Sequence, residues 1–225
     1  MSARCVMVLG TSSAAGKSWL ATALCRHFVR LGLRVAPFKA QNMSNNAAVT
    51  RDGGEIGRAQ ALQATAAGLE PSVRMNPILL KPEFGGVSQV IVLGQATERL
   101  PGRAYFEQRE RLWPVVTAAL DELRKVHELV IIEGAGSPAE VNLRQWDIVN
   151  MRVARYSDAP VLLVADIDRG GALAALVGTL ELLDPDDRRL VRGLVINRFR
   201  GDRGLFEPAL DFLKDRKSTR LNSSH

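Results

Sequence analysis

Residues 10–18, GTSSAAGKS, decide how the rest of this chain is read. They follow the apolar run CVMVL at residues 5–9 and lead into WLATAL at 19–24, which continues with helical spacing. Strand, small-residue loop, Lys-Ser and helix, in that order, make a phosphate-binding loop. Small residues let successive backbone N–H groups curl around an anion, and a helix N-terminus adds partial positive charge. Thr11, Ser12, Ser13, Ala14, Ala15 and Gly16 are the candidate cradle. Lys17 is placed to reach the outer phosphates, and the Ser18 hydroxyl to ligate Mg²⁺. The spacing is one residue off the general G-x-x-x-x-G-K-S pattern: Thr11 stands where that pattern has glycine, and the glycine is Gly10.

The chain has 225 residues, 46% of them hydrophobic, enough for one packed α/β domain. No apolar run approaches the roughly 20 residues of a membrane span. The N-terminus enters the first strand directly, so neither a signal peptide nor a membrane is expected, and the cytoplasm is the expected compartment. Cys5 and Cys25 fit neither a metal site nor a disulfide framework and read as buried thiols. The formal net charge is +6. Aromatic residues make up only 5% and the arginines are scattered, so no basic stripe speaks for nucleic acid. An anionic small substrate accounts for the charge.

Helical spacing covers residues 18–31, with Leu20, Leu24, Phe28 and Leu31 on one face and Gly32 as the stop. Residues 35–38 read as a second strand. Residues 39–54, rich in Asn and Gly, read as a long loop on the same sheet edge as the phosphate loop, and such loops are usually functional. Glu55 is expected to open a helix with Ile56, Ala59, Leu62 and Ala66 facing inward. Residues 69–82 read as an irregular connection, 88–93 as a strand and 94–102 as a loop. A helix is expected over 104–125, with Tyr105, Arg109, Leu112, Val116, Leu120 and Leu123 on one face and a kink at Pro114. Residues 129–132 form a fully apolar strand. A short helix at 146–156, a strand at 161–165, a helix carrying Leu173, Leu176, Leu180 and Leu183, and a last strand at 193–196 follow.

The alternation predicts a mostly parallel, doubly wound α/β sheet of the P-loop NTPase type. Ligands of such sheets sit at the carboxyl ends of the strands. Four strands end in small or polar clusters, at residues 10–18, 39–46, 133–138 and 166–171, which should converge on one face. Glu133 stands where a carboxylate partner for Mg²⁺ is expected. Asp52 and Glu55 compete for a further metal position, with Glu55 preferred. Lys39 emerges from the second strand toward the phosphates, a place for a charge on a transferred phosphoryl group. The domain is set at residues 1–214. Residues 215–225, ending in KSTRLNSSH, are left out of it as disorder or an artefactual tail.

Seven stretches, GTSSAAGKS (10–18), APFKAQNMS (36–44), DGGEIGRAQ (52–60), MNP (75–77), IEGAGSPAEVNL (132–143), ADIDRGG (165–171) and VINRFRGD (195–202), give the chain a specific resemblance. Together, in order, they resemble the N-terminal, dethiobiotin-synthetase-like ATPase domain of the cobyric acid synthase family, a fold shared with MinD-like proteins. The resemblance spans about residues 1–213 and also accounts for the offset glycine. It implies ATP- and Mg²⁺-dependent amidation of peripheral carboxylates on adenosylcobyrinic acid a,c-diamide, in cobalamin biosynthesis, through an acyl phosphate.

Matched position by position, the resemblance puts residues 11–18 around the phosphates. Ser18, Glu55 and Glu133 would hold Mg²⁺, and Lys17 and Lys39 the moving phosphoryl. Asn197, with Arg198 beside it, would face the adenine. Gln41, Asn42, Asn45, Ser137, Glu140 and Asn142 would read the corrinoid's amide and carboxylate groups, and Asp166 and Asp168 would position substrate or pair with Arg169 and Arg198. The family's glutaminase domain, with its Cys nucleophile, is not found in these 225 residues, so ammonia is expected from that domain or free, and a homodimer is an expected assembly. Two alternatives are a ParA/MinD-like ATPase switch, against which Ser12 stands at the place of that group's signature lysine, and a sibling ligase, either cobyrinate a,c-diamide synthase or dethiobiotin synthetase.

Overall fold

The computed structural model describes residues 2–219. In chain order its elements are β1 (Arg4–Gly10), α1 (Lys17–Arg30), β2 (Val35–Phe38), β3 (Gln41–Met43), β4 (Ala47–Val49), β5 (Glu55–Gly57), α2 (Arg58–Ala66), β6 (Ile78–Pro82), β7 (Val87–Val92), β8 (Gln95–Pro101) and α3 (Gly102–Val126). Then come β9 (Leu129–Glu133), α4 (Met151–Ser157), β10 (Val161–Asp166), α5 (Ala172–Leu182), α6 (Pro185–Leu190), β11 (Val191–Asn197) and α7 (Glu207–Thr219).

The central sheet has the order β11-β10-β1-β9-β2, and every pair in it is parallel. Its apolar runs are buried on both faces, as strands under crossover helices must be. Met7, Leu9, Phe38, Ile132 and Leu163 face a core completed by Val116 and Leu120 of α3 and Leu176 and Leu180 of α5. Val8, Ile131 and Val164 face the opposite core with Ala21 and Cys25 of α1. Helices therefore cover both sides, the doubly wound arrangement.

The register builds the site. Phe38 is level with Ile132, so Lys39 and Glu133 leave neighbouring strands side by side. Val8 pairs with Glu133 and Gly10 with Val164, which brings the phosphate loop to the same edge. Asp166 pairs with Asn197 at the ends of β10 and β11.

The structure corrects several expectations. Residues 39–54 are not one loop: β3 pairs in parallel with β6, and β4 pairs antiparallel with β5. Residues 69–82 likewise hold β6, and 94–102 hold β8, giving a second sheet of order β3-β6-β7-β8. Its β6–β7 and β7–β8 pairs are antiparallel, and Leu93 and Gly94, both at positive φ, make the turn between β7 and β8. β8 is a solvated edge strand without alternating apolar positions, which hides it in the sequence.

Glu55 lies in β5, and the helix begins at Arg58. Leu62 is exposed, and α2 turns Gln60 and Gln63 inward instead. Leu31 is also exposed, because α1 ends at Arg30. α3 runs unbroken through Pro114, while the helix expected over 146–156 is shortened to α4, with a 3₁₀ turn over Val141–Trp146 before it. Asp147 caps α4 by accepting from Val149 N, Asn150 N and Arg152 N at 2.8–3.0 Å. α7 continues to Thr219, into the stretch 215–225 set outside the domain; residues 220–225 lie outside the described residues.

Gly134 follows β9 where the backbone meets the opposing wall. A methyl group there would run into Leu9 Cδ2 and Asn150 Oδ1. Overpacking of this kind costs about 1–3 kcal/mol. For a domain of this size Gly134→Ala should lower Tm by about 2–12 °C in a thermal melt. An unchanged Tm would show that the wall gives way freely.

Candidate functional site

The cradle is shaped by its own lysine. Lys17 begins α1 with Nζ donating to Ser12 O at 2.8 Å and to Gly136 O at 2.9 Å. The folded-back ammonium accounts for the offset glycine: a Cβ at Gly10 would sit 2.9 Å from Lys17 Nζ and 3.0 Å from Ser12 O. Gly16 has φ +104, and a side chain there would also strike the Asn197 amide. Asn197 Nδ2 donates to Ala15 O at 2.9 Å, so the end of β11 braces the loop. Burial, then the neighbouring Lys39 charge, push the Lys17 pKa down to about 8, against the opposing pull of Glu133.

Glu133 is 1% exposed and is the convergence point of three elements. Its Oε1 accepts from Ser18 Oγ at 2.8 Å and from Lys39 Nζ at 2.7 Å. Its Oε2 accepts from Gln63 Nε2 at 2.6 Å and Gln60 Nε2 at 3.2 Å. Burial is the largest single influence on this carboxyl and raises its pKa. The Lys39 charge and the hydrogen bonds from Lys39, Gln63 and Ser18 together outweigh it and hold the group ionised below the usual carboxylate range. A fixed carboxylate beside a phosphate-loop hydroxyl is a hard-oxygen donor pair suited to Mg²⁺. No group of three His, Cys, Asp or Glu side chains that could hold a metal occurs among the described residues, so phosphate oxygens and water would complete such a shell.

A cleft of about 560 Å³ opens from this point. Ser13, Ala14, Lys17 and Ser18 line it on the phosphate-loop side. Lys39, Gln41, Asn42, Glu133, Ser137 and Glu140 line it as well, so four of the six candidate substrate contacts share one cavity with the cradle. Asn45 and Asn142 are exposed and lie outside that lining. Thr11 and Ser12 carry the turn below, with Thr11 N donating to Val164 O. Glu55 is paired with Lys81 of β6 and is absent from the cleft lining. Asp52 accepts from Thr50 Oγ1 at 2.5 Å inside the β4–β5 turn. Asp166 pairs with Arg169 at 3.3 Å and Arg198 at 3.2 Å, and Asp168 with Arg200 at 3.3 Å.

Gln60 and Gln63 are the site residues that sequence reasoning missed. Their signal was two amides three apart in a helix whose leucine, Leu62, points outward; buried amides need a polar partner, and here it is Glu133. Arg109 was placed on the inner face of α3 but not in the site. It lines the cleft and is 7% exposed. Asn150 was also missed: it clasps the 134–137 turn by accepting from Ala135 N at 3.0 Å and donating to Ala135 O at 2.8 Å. The two cysteines are buried, and burial pushes their thiols up to about 11 for Cys5 and about 12 for Cys25, the reverse of an activated nucleophile.

This fold and loop define a nucleotide-binding domain. Residues 6–220 match the family described as the CobQ/CobB/MinD/ParA nucleotide binding domain, and the chain belongs to that family. Within it, the chain is similar to cobyric acid synthases. It is 63% identical to that of Desulfitobacterium hafniense (strain DSM 10664 / DCB-2) over 94% of this chain and 41% of the relative. It is 60% identical to that of Paracidovorax citrulli (strain AAC00-1), over 96% and 45%. With that of Dehalococcoides mccartyi (strain CBDB1) it shares 57%, over 96% and 43%. The chain thus spans about two fifths of the length of these curated relatives. Among solved structures, the signal recognition particle receptor FtsY from Elizabethkingia anophelis aligns with TM-score 0.43 and 20% identity, over 86% of this chain and 49% of that one. No described helix is long and apolar enough to cross a membrane.

The lowered Lys17 pKa has a consequence for nucleotide binding. Phosphate oxygens favour the charged amine and raise its pKa, so binding near pH 8 must draw protons onto the protein. Calorimetry of ATP binding at pH 8 in buffers of different ionisation enthalpy should show uptake of about half a proton per nucleotide. Affinity should then decline as pH rises above about 8. Binding without proton uptake would mean that Lys17 is already fully charged in the free site.

Proposed function

We propose that this chain activates peripheral carboxylates of adenosylcobyrinic acid a,c-diamide for amidation, using MgATP, in cobalamin biosynthesis. The observation that carries the reading is the shared cleft: phosphate loop, the Lys39–Glu133 pair and the amide-bearing Gln41–Asn42 strand face one cavity. The similarity to cobyric acid synthases supplies the substrate class. A cavity of about 560 Å³ has room for a triphosphate end and one acid arm, with the macrocycle outside.

The chemistry fits these residues. At neutral pH a carboxylate and ammonia form a salt rather than an amide. Attack of a carboxylate oxygen on the γ-phosphorus of ATP releases ADP and gives an acyl phosphate. Ammonia then attacks the carbonyl, and phosphate leaves. Bound Mg²⁺, held by Ser18 and Glu133, would neutralise phosphate charge. The loop amides and Lys17 fix the β- and γ-phosphates for in-line transfer, and Lys39 sits where charge accumulates on the moving group. Glu133 stays ionised throughout because Lys39, Gln60 and Gln63 hold it so. Asn197 and Arg198 at the end of β11 lie beside the loop, where the base would sit. Ammonia enters free or from a glutaminase partner.

The test is ATP turnover by the 225-residue chain with ammonium and the corrinoid, following the product mass for each amide formed. Corrinoid-stimulated hydrolysis with stepwise mass change is expected. Stimulation by cobyrinate in place of its a,c-diamide would reassign the chain to the sibling synthase, and no stimulation by any corrinoid would overturn the reading. Lys17→Ala should reduce turnover at least about 100-fold with Tm retained.

A further inference from the structure

Arg109 has the features of an unfinished ion pair. It is a buried arginine, 7% exposed, that lines the same cleft as the phosphate loop. Among the described residues, its hydrogen-bond acceptors are Trp146 O and Gln41 Oε1, and no carboxylate forms an ion pair with it. Asp147 stabilises the charge from a distance, but its carboxylate oxygens are engaged by the backbone N–H groups of Val149, Asn150 and Arg152, and burial outweighs its pull and lowers the Arg109 pKa. The guanidinium is nonetheless held rigidly. It lies 4.2 Å from the Phe106 ring centroid and 5.3 Å from that of Tyr105. Nη1 donates to Trp146 O at 3.0 Å and Nη2 to Gln41 Oε1 at 3.3 Å, while Tyr105 Oη donates to the same Gln41 oxygen at 2.6 Å. All of these acceptors are neutral. The Nε–H is buried and has no hydrogen-bond partner.

A charge removed from water without a direct ion-pair partner is costly, and a ligand of opposite charge offsets that cost. The phosphates are already served by the loop, the α1 N-terminus and Lys17. Arg109 comes from another element, behind aromatic rings, and is tied to Gln41, two residues beyond Lys39. Its planar fork matches a carboxylate, which can take two parallel N–H bonds.

We propose that Arg109 anchors a carboxylate of the acidic substrate in the cleft, binding the acid arm or a neighbouring one while the phosphate loop holds the nucleotide. The proposal rests on the amidation reading for the identity of the substrate, and on the unpaired buried guanidinium for the carboxylate itself. Gln41 then acts as the brace that orients the fork.

The experiment compares the full chain with Arg109→Gln and Arg109→Lys. It measures binding of cobyrinic acid a,c-diamide and of its methyl ester by corrin absorbance, with MgATP binding and Tm alongside. Arg109→Gln should weaken binding of the acid about 10- to 100-fold and leave the ester unchanged, erasing the preference for acid over ester. Arg109→Lys, which keeps the charge but loses the fork, should weaken the acid by a smaller factor, with MgATP binding and Tm close to those of the parent. A preference for acid over ester preserved within twofold in Arg109→Gln would overturn the proposal. If that variant fails to fold, Arg109→Lys decides: acid binding equal to the parent's overturns it. If the parent binds no corrinoid, the amidation reading fails separately, and glutarate takes over as the probe. Glutarate should then raise the Tm of the parent and not of Arg109→Gln; equal shifts would overturn the anchor.

Discussion

Glu133 ends a fully buried strand with its carboxylate almost wholly withdrawn from water at the floor of the cleft, and four donors hold it in the ionised form. Desolvating such an ion costs several kcal/mol, and losing one partner of a buried pair costs about 3–5 kcal/mol. That demand organises the carboxyl edge of the sheet. Lys39 must leave β2 in register with β9, α1 must present Ser18, and α2 must turn two glutamines inward at the expense of its own apolar face. Ser18 and Lys39, which satisfy the charge, also line the cleft, whereas Gln60 and Gln63 of α2 hold it from outside that lining, so fold stability and site geometry are linked. The partners also differ in kind. The two glutamines are neutral and hold Oε2, whereas Ser18 and Lys39 share Oε1, the oxygen nearest the phosphate loop.

The cradle obeys a second constraint, close approach. Lys17 folds back over Gly10, Gly16 takes a positive φ against Asn197, and Gly134 lets β9 turn beneath Asn150. Each glycine makes room for a named side chain. Moving the first glycine one position earlier than the general pattern is therefore part of how the lysine is stored in the free loop, between Ser12 O and Gly136 O. Beside this centre the second sheet supplies part of the cleft wall. β3 brings Gln41 and Asn42 to the cleft, and Asn76 locks that strand to the core by donating to Lys39 O and Ile78 O.

The parallel sheet was legible because its strands are apolar runs whose ends carry clusters of small and polar residues. Reading those ends led directly to Lys17, Ser18, Lys39 and Glu133. The second sheet was not legible. β3, β4 and β5 are three residues each, too short for a period, and β8 is exposed along nearly its whole length. Gln60 and Gln63 escaped because helical spacing assigns an inner face to apolar residues, while their partner lies about 70 positions away. Arg109 fell on the correct face for the same periodic reason, yet its meaning depends on what it lacks, an anion, and local sequence cannot show that. Glu55 illustrates the opposite error: a carboxylate after two glycines reads as a helix start, whereas the chain uses it in β5 against Lys81.

In the proposed reaction the cleft joins a substrate carboxylate to the γ-phosphate of ATP. The direct measurement uses corrinoid labelled with ¹⁸O in its carboxylates, incubated with the chain, MgATP and ammonium. Acyl phosphate formation predicts one ¹⁸O in the released inorganic phosphate for each amide made. Inorganic phosphate carrying only solvent or ATP oxygen, with amide formed, would contradict it.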